Sequence, residues 1–173
     1  MKTKTKNNRF IILSSLEIML LLLCQLHAKA QQPPPKPISV YFNPSLGLRF
    51  GAFFLGSSGG TVIIAPDGNR TFTGGVISAS LGFTYGAAEF QVVANPGTLV
   101  SVMNGPDVSL TGNNGGSMML HIGSSSPVTP YVTSITPPSY TSIYVGGTLT
   151  VGNAVANPVG SYSGSFSITF IQE

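Results

Sequence analysis

The sequence has no tryptophan, and its single cysteine is Cys24. Only 8% of the residues are charged, and one long hydrophobic run is present, at residues 10–26. With one cysteine the chain cannot form an intrachain disulfide. Beyond Cys24 it has no thiol for nucleophilic catalysis or for thiolate metal binding. Glycine and proline are abundant instead, at 21 and 13 residues.

The first 30 residues have the pattern of a secretory signal peptide. Four basic side chains within residues 2–9 precede the hydrophobic run, which leads to Ala28-Lys29-Ala30. A basic head, an apolar middle and a small-x-small site are the three parts of such a signal. We therefore predict cleavage after Ala30, so that the mature chain begins at Gln31.

Two other fates of this segment stay open. A transmembrane anchor needs about 20 consecutive apolar residues, and the run at residues 10–26 is shorter and contains Glu17. Lipidation at Cys24 would need a small residue before the cysteine, where Leu23 stands. Cleavage remains the prediction, with no transmembrane span afterwards. The protein is then exported to the periplasm, the cell surface or the medium.

Cleavage also changes the net charge. The whole chain has a formal net charge of +3, but residues 31–173 carry three basic and four acidic side chains. The mature chain therefore has no basic patch to attract phosphates, which argues against nucleic-acid binding.

The mature chain divides into a short tether and one domain. Residues 31–37 contain four prolines and predict a polyproline-II tether, with a proline-rich docking motif as the alternative. From residue 38 to residue 173 apolar residues alternate or form short runs between turn residues, which predicts β-strands. The candidate strands are residues 38–42, 46–54, 61–65, 70–76, 87–93, 98–103, 108–111, 117–122, 131–134, 142–145, 148–151 and 163–171.

The last candidate strand shows the clearest alternation. Phe166, Ile168 and Phe170 share one face, and small polar residues occupy the other. The segment 65–69, Ala-Pro-Asp-Gly-Asn, has the residues of a tight hairpin turn. Many short strands with such turns predict an all-β fold, either a two-sheet antiparallel sandwich or a barrel.

The mature chain has few residues that could perform catalysis. Its single histidine, His121, lies in an apolar strand pattern, and we predict that it faces solvent or the rim of the sandwich. A Ser-His-Asp triad would need His121 with Asp107 or Asp67, but no serine elbow leads into a helix. Glu89 lies on a predicted exposed strand face. We therefore predict no enzyme activity, no catalytic residue, no cofactor and no metal site.

Four stretches together resemble a bacterial secreted family, domain of unknown function 4402. They are LRFG at residues 48–51, GTVII at 60–64 with GNRT at 68–71, AAEFQV at 87–92, and VGGTLTV at 145–151 followed by GSYSGSF at 160–166. The resemblance covers most of residues 46–171, and the closing Gly-x-Tyr-x-Gly-x-Phe pattern is its most specific part. The pattern of this family resembles that of fimbrial subunits, which implies an Ig-like sandwich and a surface or pilus role.

The resemblance transfers no catalytic residue, so its motif positions are expected to be structural. These positions are Phe50, Gly51, Gly146, Gly147, Gly160, Tyr162, Gly164 and Phe166. The aromatic side chains would anchor strands to the core. The glycines would permit turns, bulges or close approach of neighbouring strands.

Two functions are compatible with this pattern. The first is a structural, fimbria-like or adhesive subunit that associates with itself or with other surface subunits by strand addition. Residues 38–42 would be the donated strand, unless they pair within their own domain. The alternative is a monomeric secreted module that binds a glycan or an envelope component, with Tyr131, Tyr140 and Tyr144 as stacking residues.

Overall fold

Alternation and frequent turns make this chain an all-β protein. The structure, a computed structural model, describes residues 36–173, which form one compact unit. Its thirteen strands are β1 (Ser39–Phe42), β2 (Arg49–Phe50), β3 (Phe53–Ile64), β4 (Arg70–Ser78), β5 (Tyr85–Gly86), β6 (Ala88–Val93), β7 (Leu99–Asn104), β8 (Val108–Gly112), β9 (Ser117–Ser126), β10 (Tyr131–Val132), β11 (Thr141–Val151), β12 (Tyr162–Ser163) and β13 (Ile168–Gln172). All their pairings are antiparallel.

The eleven-residue strand β11 organises the large sheet. One of its edges pairs first with β6 and then, past Gly146, with β3. Its other edge pairs with β9. Beyond these neighbours lie β1 next to β6, β4 next to β3, and β8 with β12 next to β9. The large sheet is therefore branched, and β1 forms the outer edge of one branch.

A smaller sheet covers the apolar face of the large one. It has the order β10–β7–β13, and a separate two-stranded ribbon joins β2 to β5. Val102, Ile168 and Phe170 of the small sheet pack against the buried cluster of the large sheet. The predicted all-β, antiparallel sandwich is thereby confirmed.

The core comes mainly from alternate residues of the large sheet. Ile143, Val145, Val92 and Val62 are at most 1% exposed. Period-two geometry explains this burial, because every second side chain of β6 and β11 faces the small sheet. Intervening residues such as Tyr144 are exposed on the outer face.

Several predicted strand limits were wrong. The prediction of one strand at residues 46–54 was wrong at two places: its first residue, Leu46, ends a 3-10 turn, and Gly51, whose φ is +67°, separates β2 from β3. The predicted strands ending at residue 54 and starting at residue 61 are instead one strand, β3, with a bulge between Leu55 and Gly60.

Two further corrections concern the end of the chain. The predicted strands at residues 142–145 and 148–151 form the single strand β11, which continues through a bulge at Gly146. The predicted strand at residues 163–171 is divided into β12 and β13. Its alternation still holds, because Phe166, Ile168 and Phe170 pack on the core while Ser165, Ser167 and Thr169 are exposed.

The hairpin turn between β3 and β4 is confirmed. Gly68 donates its backbone N–H to the carbonyl of Ala65 at 2.9 Å and has a φ of +84°. Asp67 accepts hydrogen bonds from the backbone and side-chain nitrogens of Asn69 at 3.0 and 2.6 Å. The Asp67 carboxylate therefore stabilises the turn.

Among residues 36–173, no helix is long and apolar enough to span a membrane.

Candidate functional site

The edge strand β1 pairs with β6 of its own chain. Tyr41 lies opposite Gln91, and Phe42 lies opposite Phe90. The Phe42 ring stacks on Phe90 at 5.1 Å between centroids, and Phe90 in turn contacts Phe170 at 5.3 Å. Of the two arrangements that the sequence left open for this segment, a single chain adopts pairing within its own domain.

Strand β1 is more exposed to solvent than the interior strands. All four of its residues are exposed, including Phe42 at 48%. Just before the strand, the backbone N–H of Ile38 donates to the side-chain oxygen of Gln172 at 3.1 Å. The strand carries no charged residue and no proline, so it lacks two common devices that protect a sheet edge from further pairing.

The outer face beside β1 contains a cavity of about 440 Å³. The register explains part of its composition, because Ser39 and Tyr41 of β1 are the partners of Val93 and Gln91 of β6. Partners in an antiparallel sheet share a face. The cavity is lined by Lys36, Pro37, Ser39, Tyr41, Gln91, Val93, Ala94, Asn95, Pro137, Pro138 and Tyr140.

The three tyrosines that the sequence suggested for stacking have different environments. Tyr140 is 47% exposed and lines the cavity. Tyr144 is 40% exposed on the same sheet but does not line the cavity. The suggestion was wrong for Tyr131, which packs against the core, and burial raises the pKa of its phenol. In the described part of the chain, the Tyr131 hydroxyl has no hydrogen-bond partner.

His121 faces solvent, as the sequence predicted. Its side chain is 66% exposed, and its Nδ1 atom lies 2.7 Å from Oδ1 of Asp107. Sequence reasoning had named these two residues as possible members of a triad, and the fold does bring them together. Within residues 36–173, however, the hydrogen bonds of the His121 ring include none to a serine hydroxyl. The pair links the start of β8 to β9.

Glu89 lies on the outer face of β6 and is half-buried. Its Oε1 atom accepts a hydrogen bond from the Ser142 hydroxyl at 2.7 Å, and its cross-strand partner in β11 is Tyr144. In the part of the chain that the structure describes, no three His, Cys, Asp or Glu side chains are grouped as metal ligands would be.

Arg70 joins three segments, a role that the sequence pattern did not predict. Its Nη1 donates to the carbonyls of Phe50 and Ala52 at 2.8 and 3.2 Å, and its Nη2 donates to the Ser78 hydroxyl at 2.9 Å. The guanidinium also lies over the Tyr85 ring at 4.1 Å from the centroid. These contacts hold the β2–β5 ribbon to the start of β4.

We expect Arg70→Met to lower the free energy of unfolding by about 2 kcal/mol, because it removes charged hydrogen bonds and a cation–π contact. Urea denaturation measures the change. Arg49→Met is the matched control, since exposed Arg49 donates, within residues 36–173, only to the nearby Ser45 carbonyl. It should change the free energy of unfolding by less than about 0.5 kcal/mol. Equal losses in the two variants would contradict the assigned role of Arg70.

The first group of motif residues lies where strands approach closely. Phe50 is 8% exposed in the core. A Cβ atom on Gly51 would stand 2.6 Å from Nη1 of Arg70. A Cβ atom on Gly146 would meet the backbone of Ile64, Ala65 and Pro66, and one on Gly147 would lie 3.0 Å from the carbonyl of His121.

The closing motif holds the last segment against β8. The Tyr162 hydroxyl donates to the Pro158 carbonyl at 2.8 Å, and Phe166 packs against the buried cluster. A Cβ atom on Gly164 would stand 2.7 Å from a methyl of Leu110, and one on Gly160 would meet the side chain of Asn113.

The cleavage residues Ala28, Ala30 and Gln31 lie outside the described residues, as does the tether up to residue 35. The last two residues of the predicted tether are Lys36 and Pro37. They lie outside the strands and line the cavity. Sequence reasoning also missed Tyr41 as a cavity residue. Its alternation with Val40 and Phe42 was the signal that could have placed it on the outer face.

Comparison with known proteins gives one result. The search of curated proteins and the search of solved structures each found no match. A protein-family model, described as a domain of unknown function (DUF4402), matches residues 41–171. That range includes the second half of β1, the motif glycines and the closing aromatic residues. The chain therefore belongs to the DUF4402 family.

Proposed function

We propose that this chain is a non-enzymatic, exported structural protein of the bacterial cell surface, a fimbria-like subunit whose copies associate by strand addition. The observation that supports the proposal most is β1, an uncharged edge strand whose four residues are all exposed. In this proposal β1 leaves its own β6 and pairs with the β6 of a second copy.

The energetics permit such an exchange. Each backbone hydrogen bond contributes only about 0.5–1.5 kcal/mol net, and β1 has four partner positions on β6. An exchanged β1 would regain the same pairing and the same Phe42–Phe90 stacking on the neighbouring copy. Exchange of an identical element is a low-cost route to association for this reason.

The segment after β1 is suited to act as a hinge. The Asn43 side chain accepts a hydrogen bond from the Ser45 backbone at 3.0 Å, and Pro44–Leu46 forms a single 3-10 turn. This turn contains no buried residue. Its rearrangement would therefore expose little apolar surface while β1 moves to another copy.

A pair of engineered cysteines tests the proposal. Ser39 and Val93 are direct partners across β1 and β6, at a separation that suits a disulfide. The full chain carrying Ser39→Cys and Val93→Cys is expressed with its signal, and the exported protein is oxidised and run on a denaturing gel. If β1 is exchanged, consecutive copies become linked and a ladder results, which reducing agent converts to monomer.

A single band of monomer with an internal disulfide, together with a monomeric mass by light scattering, would contradict strand exchange. The matched control is Ser39→Cys with Ser117→Cys, because Ser117 lies on β9 opposite Thr111 and not opposite β1. This control should give no ladder. A ladder from both variants would indicate random collision and not strand exchange.

A further inference from the structure

The outer-face cavity has the composition of a carbohydrate site. Tyr41 is 59% exposed and Tyr140 is 47% exposed, and both line the cavity. An aromatic ring offers a flat apolar face to the C–H groups of a pyranose ring while its hydroxyl stays available for hydrogen bonds. Two such rings around a cavity of about 440 Å³ fit a short oligosaccharide.

Polar side chains in the same lining offer hydrogen-bonding groups for sugar hydroxyls. Gln91 lies directly opposite Tyr41 in the sheet, and Asn95 and Ser39 also line the cavity. A side-chain amide carries both donors and an acceptor, so it can bind adjacent hydroxyl groups. Placed polar groups beside aromatic rings are typical of small-ligand sites.

The charge of the lining favours an acidic sugar. Lys36 lines the cavity, and no Asp or Glu does so among the described residues. The other two cationic side chains of the described part are committed elsewhere, since Arg49 and Arg70 donate to backbone carbonyls. A carboxylate on the sugar would therefore find an ammonium partner in the lining, while the nearby Glu89 carboxylate is hydrogen-bonded to Ser142.

From this arrangement we propose that the cavity formed by Tyr41, Tyr140, Gln91 and Lys36 binds an oligosaccharide that carries carboxylate groups. The inference does not rest on the proposed function. Ser39 and Tyr41 of β1 must lie on a β6 strand for the cavity to exist, but the β1 strand of either copy completes it. Failure of strand exchange and failure of sugar binding are therefore separate results.

Calorimetric titration of the exported protein tests the proposal, with a tetrasaccharide of galacturonic acid and its methyl ester as the two probes. We expect the acid to bind and the ester to bind more weakly. Tyr41→Thr and Tyr140→Ala should each weaken binding of the acid about tenfold or more. Lys36→Gln should make the affinities for acid and ester equal.

Tyr144→Thr is the matched control, because Tyr144 is also exposed on the outer face but lies outside the cavity. It should leave the affinity within about twofold. Thermal melts of every variant separate loss of binding from loss of fold. Tyr140 lies outside the strands, so we expect Tyr140→Ala to fold.

Three outcomes would overturn the proposal. The first is that the native protein binds neither sugar. The second is that Tyr144→Thr and Tyr140→Ala lose affinity for the acid equally. The third is that Lys36→Gln keeps the preference for the acid over the ester. A proline-rich peptide with the sequence of residues 31–37 is titrated in parallel. Binding of this peptide without binding of sugar would identify the cavity as a peptide groove.

Discussion

Replacing Ile143 with alanine is expected to lower the free energy of unfolding by about 3 kcal/mol or more. Ile143 is 0% exposed at the centre of the large sheet, where β11 pairs with β6. Removing its side chain leaves a cavity between the two sheets in addition to the lost transfer free energy. Urea denaturation monitored by circular dichroism measures the change.

The neighbouring residue supplies the control for this prediction. Tyr144 is the next residue of β11, and its side chain is 40% exposed on the opposite face. We expect Tyr144→Ala to lower the free energy of unfolding by less than about 1 kcal/mol. Equal losses at the two positions would mean that the assignment of inner and outer faces to β11 is wrong, and the outer-face cavity with it.

The second large effect is expected for Gly146→Val, which should lower the free energy of unfolding by about 3 kcal/mol or more. A Cβ atom on Gly146 would lie against backbone atoms of residues 64–66, with Ala65 C and Pro66 N each 3.1 Å away. Side chains can change rotamer to relieve a collision, but here the obstacle is the backbone of the adjacent strand. The cost should therefore reach or exceed the usual overpacking range of about 1–3 kcal/mol.

A glycine in open space separates this collision from the general effect of a larger residue. Gly86 lies in β5, and a Cβ atom there would meet no atom within 4 Å. Gly86→Val should change the free energy of unfolding by less than about 0.5 kcal/mol. If Gly146→Val proves as mild as Gly86→Val in thermal and urea unfolding, the close approach of β3 to β11 is not required for stability.

These two positions also bear on the proposals. Gly146 lies where β11 changes its partner from β6 to β3, and Ile143 fixes β11 against β6. Strand β6 is in turn the platform for β1 and for the outer-face cavity. A variant that loosens β11 is therefore expected to weaken both strand exchange and sugar binding, whereas a substitution of Tyr140, which lies outside the strands, is expected to weaken only sugar binding.

Much of the fold could be predicted because it depends on local chemistry. The period-two alternation of residues 166–170 gives the same faces in isolation and in the sheet, so Phe166, Ile168 and Phe170 were assigned to the core correctly. The turn at residues 65–69 depends on Pro66, Asp67 and Gly68, which act on their immediate neighbours. His121 was placed in solvent for the same local reason.

The sequence by itself therefore determined the all-β class, the turn between β3 and β4, and the inner and outer faces of most strands. Only the tertiary structure decided which strands pair, because strand partners lie far apart in the chain and their side-chain patterns are similar. It placed β1 beside β6 in a single chain, and it showed that β11 continues through Gly146 because the backbone of residues 64–66 lies against it. It also brought Tyr41 and Tyr140 to one cavity from positions 99 residues apart, since β1, β6 and β11 are neighbours only after folding.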